Sequence, residues 1–79
     1  MVRPGRPLTD LELRHLRLLF QLREWARGHA RSDDERLEDY ALECIDNGSS
    51  VRVIAEALGV GPSTVQGWVA HARRRRRNG

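Results

Sequence analysis

The chain has 79 residues, enough for one small domain, and only 5% of them are aromatic, so aliphatic side chains must supply most of its core. No stretch approaches the roughly 18 to 20 apolar residues of a membrane helix, and no apolar segment typical of a signal peptide is present, so we expect a cytoplasmic protein. The single cysteine and three dispersed histidines lack metal-ligand spacing, and we expect no metal, cofactor or small-molecule ligand.

The charge changes sign twice along the chain. Residues 1–31 contain seven arginines and three acidic residues, a net charge of +4, whereas residues 32–59 contain two arginines and eight acidic residues, a net charge of −6. Residues 60–79 contain five arginines and no acidic residue. This pattern predicts a surface that meets a polyanion, with the acidic segment facing away. All 14 basic residues are arginine, which favours a GC-rich bacterial, phage or plasmid source.

The first predicted helix runs from Thr9 to about Arg27. Thr9 and Glu12 have the spacing of a capping box, and Gly28 is suited to end the helix. One apolar stripe of this helix is expected to pack on the rest of the chain; it comprises Leu11, Leu18, Leu19, Leu22, Trp25 and Ala26.

A second apolar side of the same helix carries Leu13, Leu16 and Phe20. A helix that is apolar on two sides in so small a chain usually has two neighbours. We therefore predict that this side is the face of a homodimer. The alternative is that Leu13 only staples the start of the helix and Phe20 wraps onto the core.

Two helices follow the first. Ser32 has the capping-box spacing to Glu35 and begins the second helix, which ends at Asn47. Ser50 caps a short third helix that runs to Leu58.

A fourth helix begins with Pro62 at its first position and frays among the arginines from Arg73 onwards. No segment alternates with the period of two that is typical of a strand. The predicted fold class is all-α: a four-helix single domain in which an N-terminal helix is added to a trihelical unit. We divide it into a basic arm (1–8), a packing or dimerisation helix (9–28), the trihelical domain (32–73) and a basic tail (74–79).

The third and fourth helices have the residue types of a helix-turn-helix. Small Ala55 permits a close helix crossing, and Gly59 suits the left-handed conformation of the tight turn. The chain resembles bacterial helix-turn-helix DNA-binding domains over residues 54–72, or over 32–73 if the second helix is counted. The matching residues are Ile54, Ala55, Leu58, Gly59, Val60, Val65 and Trp68.

The resemblance implies which residues would touch double-stranded DNA. Those placed against base edges in the major groove are Pro62, Ser63, Gln66, Gly67 and Ala70. Gln66 is the best candidate for a specific contact, because its amide can bond adenine at two positions. Those placed against the DNA backbone are Ser50, Arg52, Thr64, Arg73, Arg74, Arg75, Arg76 and Arg77. Alternatives stay open: Thr64 completes the helix start, Gly67 has no role, and the arginines form a solvated tail.

The N-terminal stretch RPGRP is short, basic and fixed by prolines. Through Gly5, Arg6 and Pro7 it resembles AT-hooks and the arms that precede the helix-turn-helix of DNA invertases and resolvases. The resemblance implies that Arg3 and Arg6 enter a minor groove. It departs from the AT-hook at Pro4 and from the recombinases in the intervening first helix, and the alternative is a disordered terminus.

Nothing in the sequence indicates an enzyme, because no nucleophile with a base and no phosphate-binding glycine loop is found. The function predicted is sequence-specific binding of double-stranded DNA by a small transcriptional regulator at the nucleoid. Two alternatives stay open: an architectural or recombination accessory protein of a mobile element, and a protein-interaction module that docks on the transcription machinery.

Overall fold

The computed structural model describes residues 5–25 and 31–78, and all regular secondary structure in these ranges is helical. The four helices are α1 (Asp10–Trp25), α2 (Arg31–Asp46), α3 (Val51–Leu58) and α4 (Pro62–Asn78). The predicted all-α, four-helix class is confirmed. None of these helices is long and apolar enough to cross a membrane.

The predicted capping box begins α1. The Thr9 N–H donates to Oε1 of Glu12 at 2.9 Å, and the Glu12 N–H donates to Oγ1 of Thr9 at 3.1 Å. The predicted end of this helix at Gly28 lies outside the described residues. Helix α2 starts at Arg31, so Ser32 lies in its first turn and does not precede it as predicted.

Both ends of α3 follow the sequence prediction. Oγ of Ser50 accepts a hydrogen bond from the Val53 N–H at 3.2 Å. Gly59 has φ +70°, and the Val60 N–H donates to the Ala55 carbonyl at 3.0 Å, which closes the helix in a Schellman-type turn. A residue with a side chain would be strained at this φ, so the short turn into α4 requires glycine at position 59.

One apolar core joins the four helices. Helix α2 packs on both α1 and α4, and α3 contacts α1 and α4. The buried apolar residues are Leu16, Leu19, Leu37, Ala41, Leu42, Cys44, Ile54, Ala55, Val65, Trp68, Val69 and Ala72.

The two predicted faces of α1 are exchanged. Leu16, predicted to face a second copy, is fully buried in the core of this chain, and the ring centroid of Phe20 lies 6.1 Å from that of Trp68. Leu13 is half-buried. The residues predicted to pack inward are largely exposed: Leu11, Leu18, Leu22 and Trp25. Leu19 alone of the predicted stripe is buried, and Ala26 lies outside the described residues.

Polar contacts explain why this side of α1, and not the predicted one, faces the core. Glu12, Leu16, Leu19 and Arg23 share one side of the helix, at spacings of four, three and four residues. Nε of Arg23 donates to Oδ1 of Asp34 on α2 at 2.8 Å, and its guanidinium lies 5.4 Å from the centre of the Trp68 ring. The side of α1 that has ionic partners at both ends is therefore the side that packs on the core.

Candidate nucleic-acid interface

The core turns one side of α4 outward. Val65, Trp68 and Val69 point inward, and Ser63, Gln66 and Ala70 are exposed on the other side of the helix. Pro62 and Thr64 are also exposed in the first turn of α4. The structure therefore brings the predicted base-reading residues together on one accessible surface.

Gly67 lies beside this surface and is half-exposed. A Cβ atom at Gly67 would have no neighbour within 4 Å. Packing within the described chain does not require glycine here, although glycine costs helix stability on the order of 1 kcal/mol relative to alanine.

The arginine run at the end of α4 divides into two groups. Nη1 of Arg75 donates to Oε1 of Glu38 at 2.6 Å, and Nη2 donates to Oδ1 of Asp39 at 2.8 Å and to the Glu35 carbonyl at 3.2 Å. Arg76 pairs with Asp46 at 2.9 Å. These contacts hold the C-terminal half of α4 against α2, and the helix continues to Asn78, so the predicted fraying is wrong.

Arg75 was predicted to contact a DNA phosphate, but its guanidinium is bound to α2 in this structure. These bonds to Glu38 and Asp39 raise the pKa of Arg75. Arg76 is 62% exposed, and its ion pair with Asp46 is of the surface kind that contributes little stability.

The other group consists of Arg73, Arg74 and Arg77, which are exposed. Among the side chains that the structure describes, those of residues 5–25 and 34–78, none of the three has an ion-pair partner. They follow Ser63, Gln66 and Ala70 along the same side of α4. We call this set of six residues the α4 stripe; at 1.5 Å per residue it is about 21 Å long.

A shallow cleft borders the α4 stripe where α2, α3 and α4 meet. Its volume is about 310 Å³, and it is lined by Ile45, Val51, Gln66, Val69, Ala70 and Arg73. Apolar side chains form part of its wall beside Gln66 and Arg73. This combination can accept an apolar group next to a hydrogen-bonding edge.

The start of α3 offers one accessible cation. Arg52 is exposed in the first turn of α3, near the N–H groups of a helix N-terminus, which attract anions. Ser50, predicted to contact phosphate, has its Oγ engaged in the helix cap, and Gly5 lies against it: a Cβ atom at Gly5 would come within 2.7 Å of the Ser50 nitrogen. Ser50 therefore has a structural role, as the N-cap of α3.

The described part of the N-terminal arm, residues 5–8, folds back on the chain. Nη2 of Arg6 donates to both carboxylate oxygens of Glu12, at 3.0 and 2.9 Å, and Nε donates to the Asn47 carbonyl at 3.0 Å. The Arg6 N–H donates to the Gly48 carbonyl at 2.7 Å. The hydrogen bond from Arg6, assisted by the one from the Thr9 N–H, lowers the pKa of Glu12 to about 2.

Arg6 is therefore a link between the arm, α1 and the turn after α2, and its insertion into a minor groove stays a prediction. Its guanidinium has partners within the chain that a groove would have to replace. Arg3 lies outside the described residues.

Glu38 was not predicted from the sequence as a functional residue, although its contacts with α4 position the α4 stripe. Its side chain is buried, and Oε2 lies 3.1 Å from Nδ1 of His71 while Oε1 binds Arg75. Its position in the sequence could have indicated this role, because Glu38 lies between Leu37 and Ala41 on the core side of α2. An acidic residue buried there requires a cationic partner.

A family model described as a homeodomain-like domain matches residues 30–79, more than half of the chain. The match covers α2, α3 and α4 and leaves the arm and α1 outside. Comparison with curated proteins and with solved structures gave no match.

Proposed function

The chain belongs to the homeodomain-like family of helix-turn-helix domains, which suggests DNA binding, and we propose that it binds double-stranded DNA sequence-specifically as a small transcriptional regulator. The observation that carries the proposal is the α4 stripe. Side chains able to read bases precede three arginines, and these form no ion pair with the side chains that the structure describes. Both groups lie on the same side of one continuous helix.

In this proposal the first half of the α4 stripe lies in the major groove. Gln66 can donate to and accept from one adenine, which is a bidentate contact. Ala70 and the apolar wall of the neighbouring cleft, including Val51, suit the methyl group of a thymine. Gly67 adds no side chain, so the DNA can approach the helix closely there.

The second half of the stripe meets the DNA backbone. The stripe is about 21 Å long and the major groove is about 12 Å wide, so the last turns of α4 pass beyond the groove. Arg73, Arg74 and Arg77 are then placed to contact phosphates on one side, and Arg52 is the candidate contact at the start of α3. The acidic residues of α2 that bind Arg75 and Arg76 have their charges paired within the chain.

Selection from a pool of random DNA duplexes, with the full chain at about 150 mM salt, tests the proposal. We expect one enriched motif that the protein prefers to random DNA by at least roughly 10³-fold. Ala70→Glu adds a negative charge to the α4 stripe and should abolish enrichment. Arg17→Gln makes the same change of net charge at an exposed position of α1 and should not.

Other outcomes favour the alternative functions. Tight binding and bending of DNA without an enriched motif would indicate an architectural or recombination accessory protein. Failure to bind duplexes at any salt concentration would overturn DNA binding and favour a protein-interaction module.

A further inference from the structure

One side of α1 is apolar and uncovered in the single chain. Trp25 is 89% exposed and Leu11 is 75% exposed, and Leu18 and Leu22 lie between them, also exposed. The opposite side of α1 packs on the core through Leu16 and Leu19. The exposed side is therefore a surface that residues 5–25 and 31–78 leave uncovered.

The spacing of this surface indicates what can cover it. Leu11, His15, Leu18, Leu22 and Trp25 follow each other at intervals of four, three, four and three residues. Intervals of this kind keep a narrow stripe on one side of a helix and suit packing against a second helix. We call these five residues the α1 seam. His15 is at its edge, with its ring 4.0 Å from that of Tyr40.

We propose that the α1 seam binds the α1 seam of a second copy of this chain, with the two helices antiparallel. The proposal deepens the proposed function, and its consequence for DNA recognition rests on that function. Burying the apolar seam residues of both copies removes on the order of 1,000 Å² from water, and flanking side chains such as Arg14 and Gln21 add to it. The total approaches the ~1,200 Å² at the lower end of specific interfaces.

The charges favour the antiparallel arrangement. With the two-fold axis at Leu18, Leu11 of one copy faces Trp25 of the other, and Arg14 faces Leu22. The two Arg14 residues are then about 12 Å apart along the helices and each approaches the partner's tryptophan, a favourable contact for a guanidinium. Parallel helices would place the two Arg14 residues side by side.

The dimer leaves both copies of the α4 stripe uncovered, because the stripe and the α1 seam lie on different helices and the seam is on the side of α1 away from the core. Two-fold symmetry then predicts a palindromic site with half-sites on one face of the duplex. Loss of the dimer should weaken binding to the palindrome and leave binding to one half-site unchanged.

Disulfide trapping tests the contact without DNA. Cys44 is the only native cysteine and is buried, so Leu18→Cys adds the one exposed thiol. Under mild oxidation L18C should form a covalent dimer at micromolar concentration, because residue 18 faces itself across the axis. Arg17→Cys is the control, exposed but directed away from the seam, and should remain monomeric. L11C and W25C should cross-link when mixed, and neither should do so alone.

Sedimentation equilibrium of Leu18→Glu completes the test, with circular dichroism as the control for folding. The wild type and Ala70→Glu should sediment as dimers, and L18E as a folded monomer. A monomeric wild type at 100 µM, or equal cross-linking of L18C and R17C, would overturn the proposal. If trapping succeeds and no DNA is bound, the dimer stands and the proposed function fails; if L18E binds a duplex carrying one selected half-site as the wild type does, both stand.

Discussion

Arg75 and Glu38 form a charged hydrogen bond of 2.6 Å between α4 and α2, and the Glu38 carboxylate in it is almost fully buried. The neighbouring Arg74 is exposed and has no ion pair among the described residues. Two adjacent and chemically identical residues thus have different roles. One fixes the direction of α4, and the other belongs to the surface proposed to bind DNA.

The free energy of unfolding should distinguish the roles of Arg75 and Arg74. Arg75→Ala removes hydrogen bonds to two carboxylates and leaves Glu38 buried with His71 alone, so we expect the free energy of unfolding to fall by about 1 to 3 kcal/mol. Arg74→Ala makes the same change of charge at a solvated position and should change it by less than about 0.5 kcal/mol. Urea denaturation of both variants measures the difference. Equal stability of the two would mean that Arg75 does not anchor α4.

The salt dependence of DNA binding should show the reverse order. Arg74→Ala should reduce the slope of log K against log salt concentration by about 0.9, the contribution of one phosphate contact. Arg75→Ala should leave the slope nearly unchanged, because its charge is already paired with Glu38 and Asp39. Titrations between 50 and 300 mM salt measure the slopes. A larger change for Arg75→Ala would contradict the division of the arginine run.

The pKa of Glu12 tests how the arm is held. Its pKa is lowered to about 2, chiefly by the hydrogen bond from Arg6, so Arg6→Ala should raise it towards the ordinary value near 4.5. NMR titration of the side-chain carboxyl group measures the change. Arg14→Ala is the control, since it removes an exposed arginine of α1 and should leave the pKa near 2.

The same shift predicts a pH dependence of stability. Because folding lowers the pKa of Glu12, its ionised carboxylate stabilises the fold above about pH 4.5, and this contribution is lost as the pH falls from 4.5 to 2. Arg6→Ala should reduce the Glu12 contribution to that loss, and the hydrogen bond from the Thr9 N–H should maintain the remainder. An unchanged acid transition in Arg6→Ala would show that the arm is not bound to Glu12 in solution.

Cys44 should be unreactive in the folded chain. The pKa of the Cys44 thiol is raised to about 12, chiefly because the thiol is buried. Almost no thiolate is therefore present at pH 8. A disulfide reagent at pH 8 should label the wild type slowly without denaturant and rapidly in urea. The exposed thiol of Arg17→Cys is the positive control for labelling of the folded protein. Rapid labelling of the native wild type would place Cys44 outside the core.

The sequence was sufficient to predict the local elements of this fold. The capping box at Thr9, the cap at Ser50 and the turn at Gly59 depend on residues a few positions apart, and each has the predicted hydrogen bonds or φ angle. The apolar side of α4 followed from its own periodicity, because only Val65, Trp68, Val69 and Ala72 could face the core.

The orientation of α1 could not be derived in the same way. Both of its sides carry leucines, so periodicity does not choose between them. The choice depends on contacts between residues distant in sequence, such as Arg23 with Asp34 and Arg6 with Asn47. The role of Arg75 was hidden for the same reason, because it depends on which turn of α4 reaches Glu38.

The central claim is that the outward side of α4 reads bases, and Gln66 tests it most directly. Wild type and Gln66→Ala are titrated against the selected half-site and against every single-base variant of it, with circular dichroism to verify the fold. We expect Gln66→Ala to lose about 1 to 3 kcal/mol of discrimination at one base pair and to keep the rest of the profile. An identical profile for the two proteins, at every position of the site, would contradict the claim.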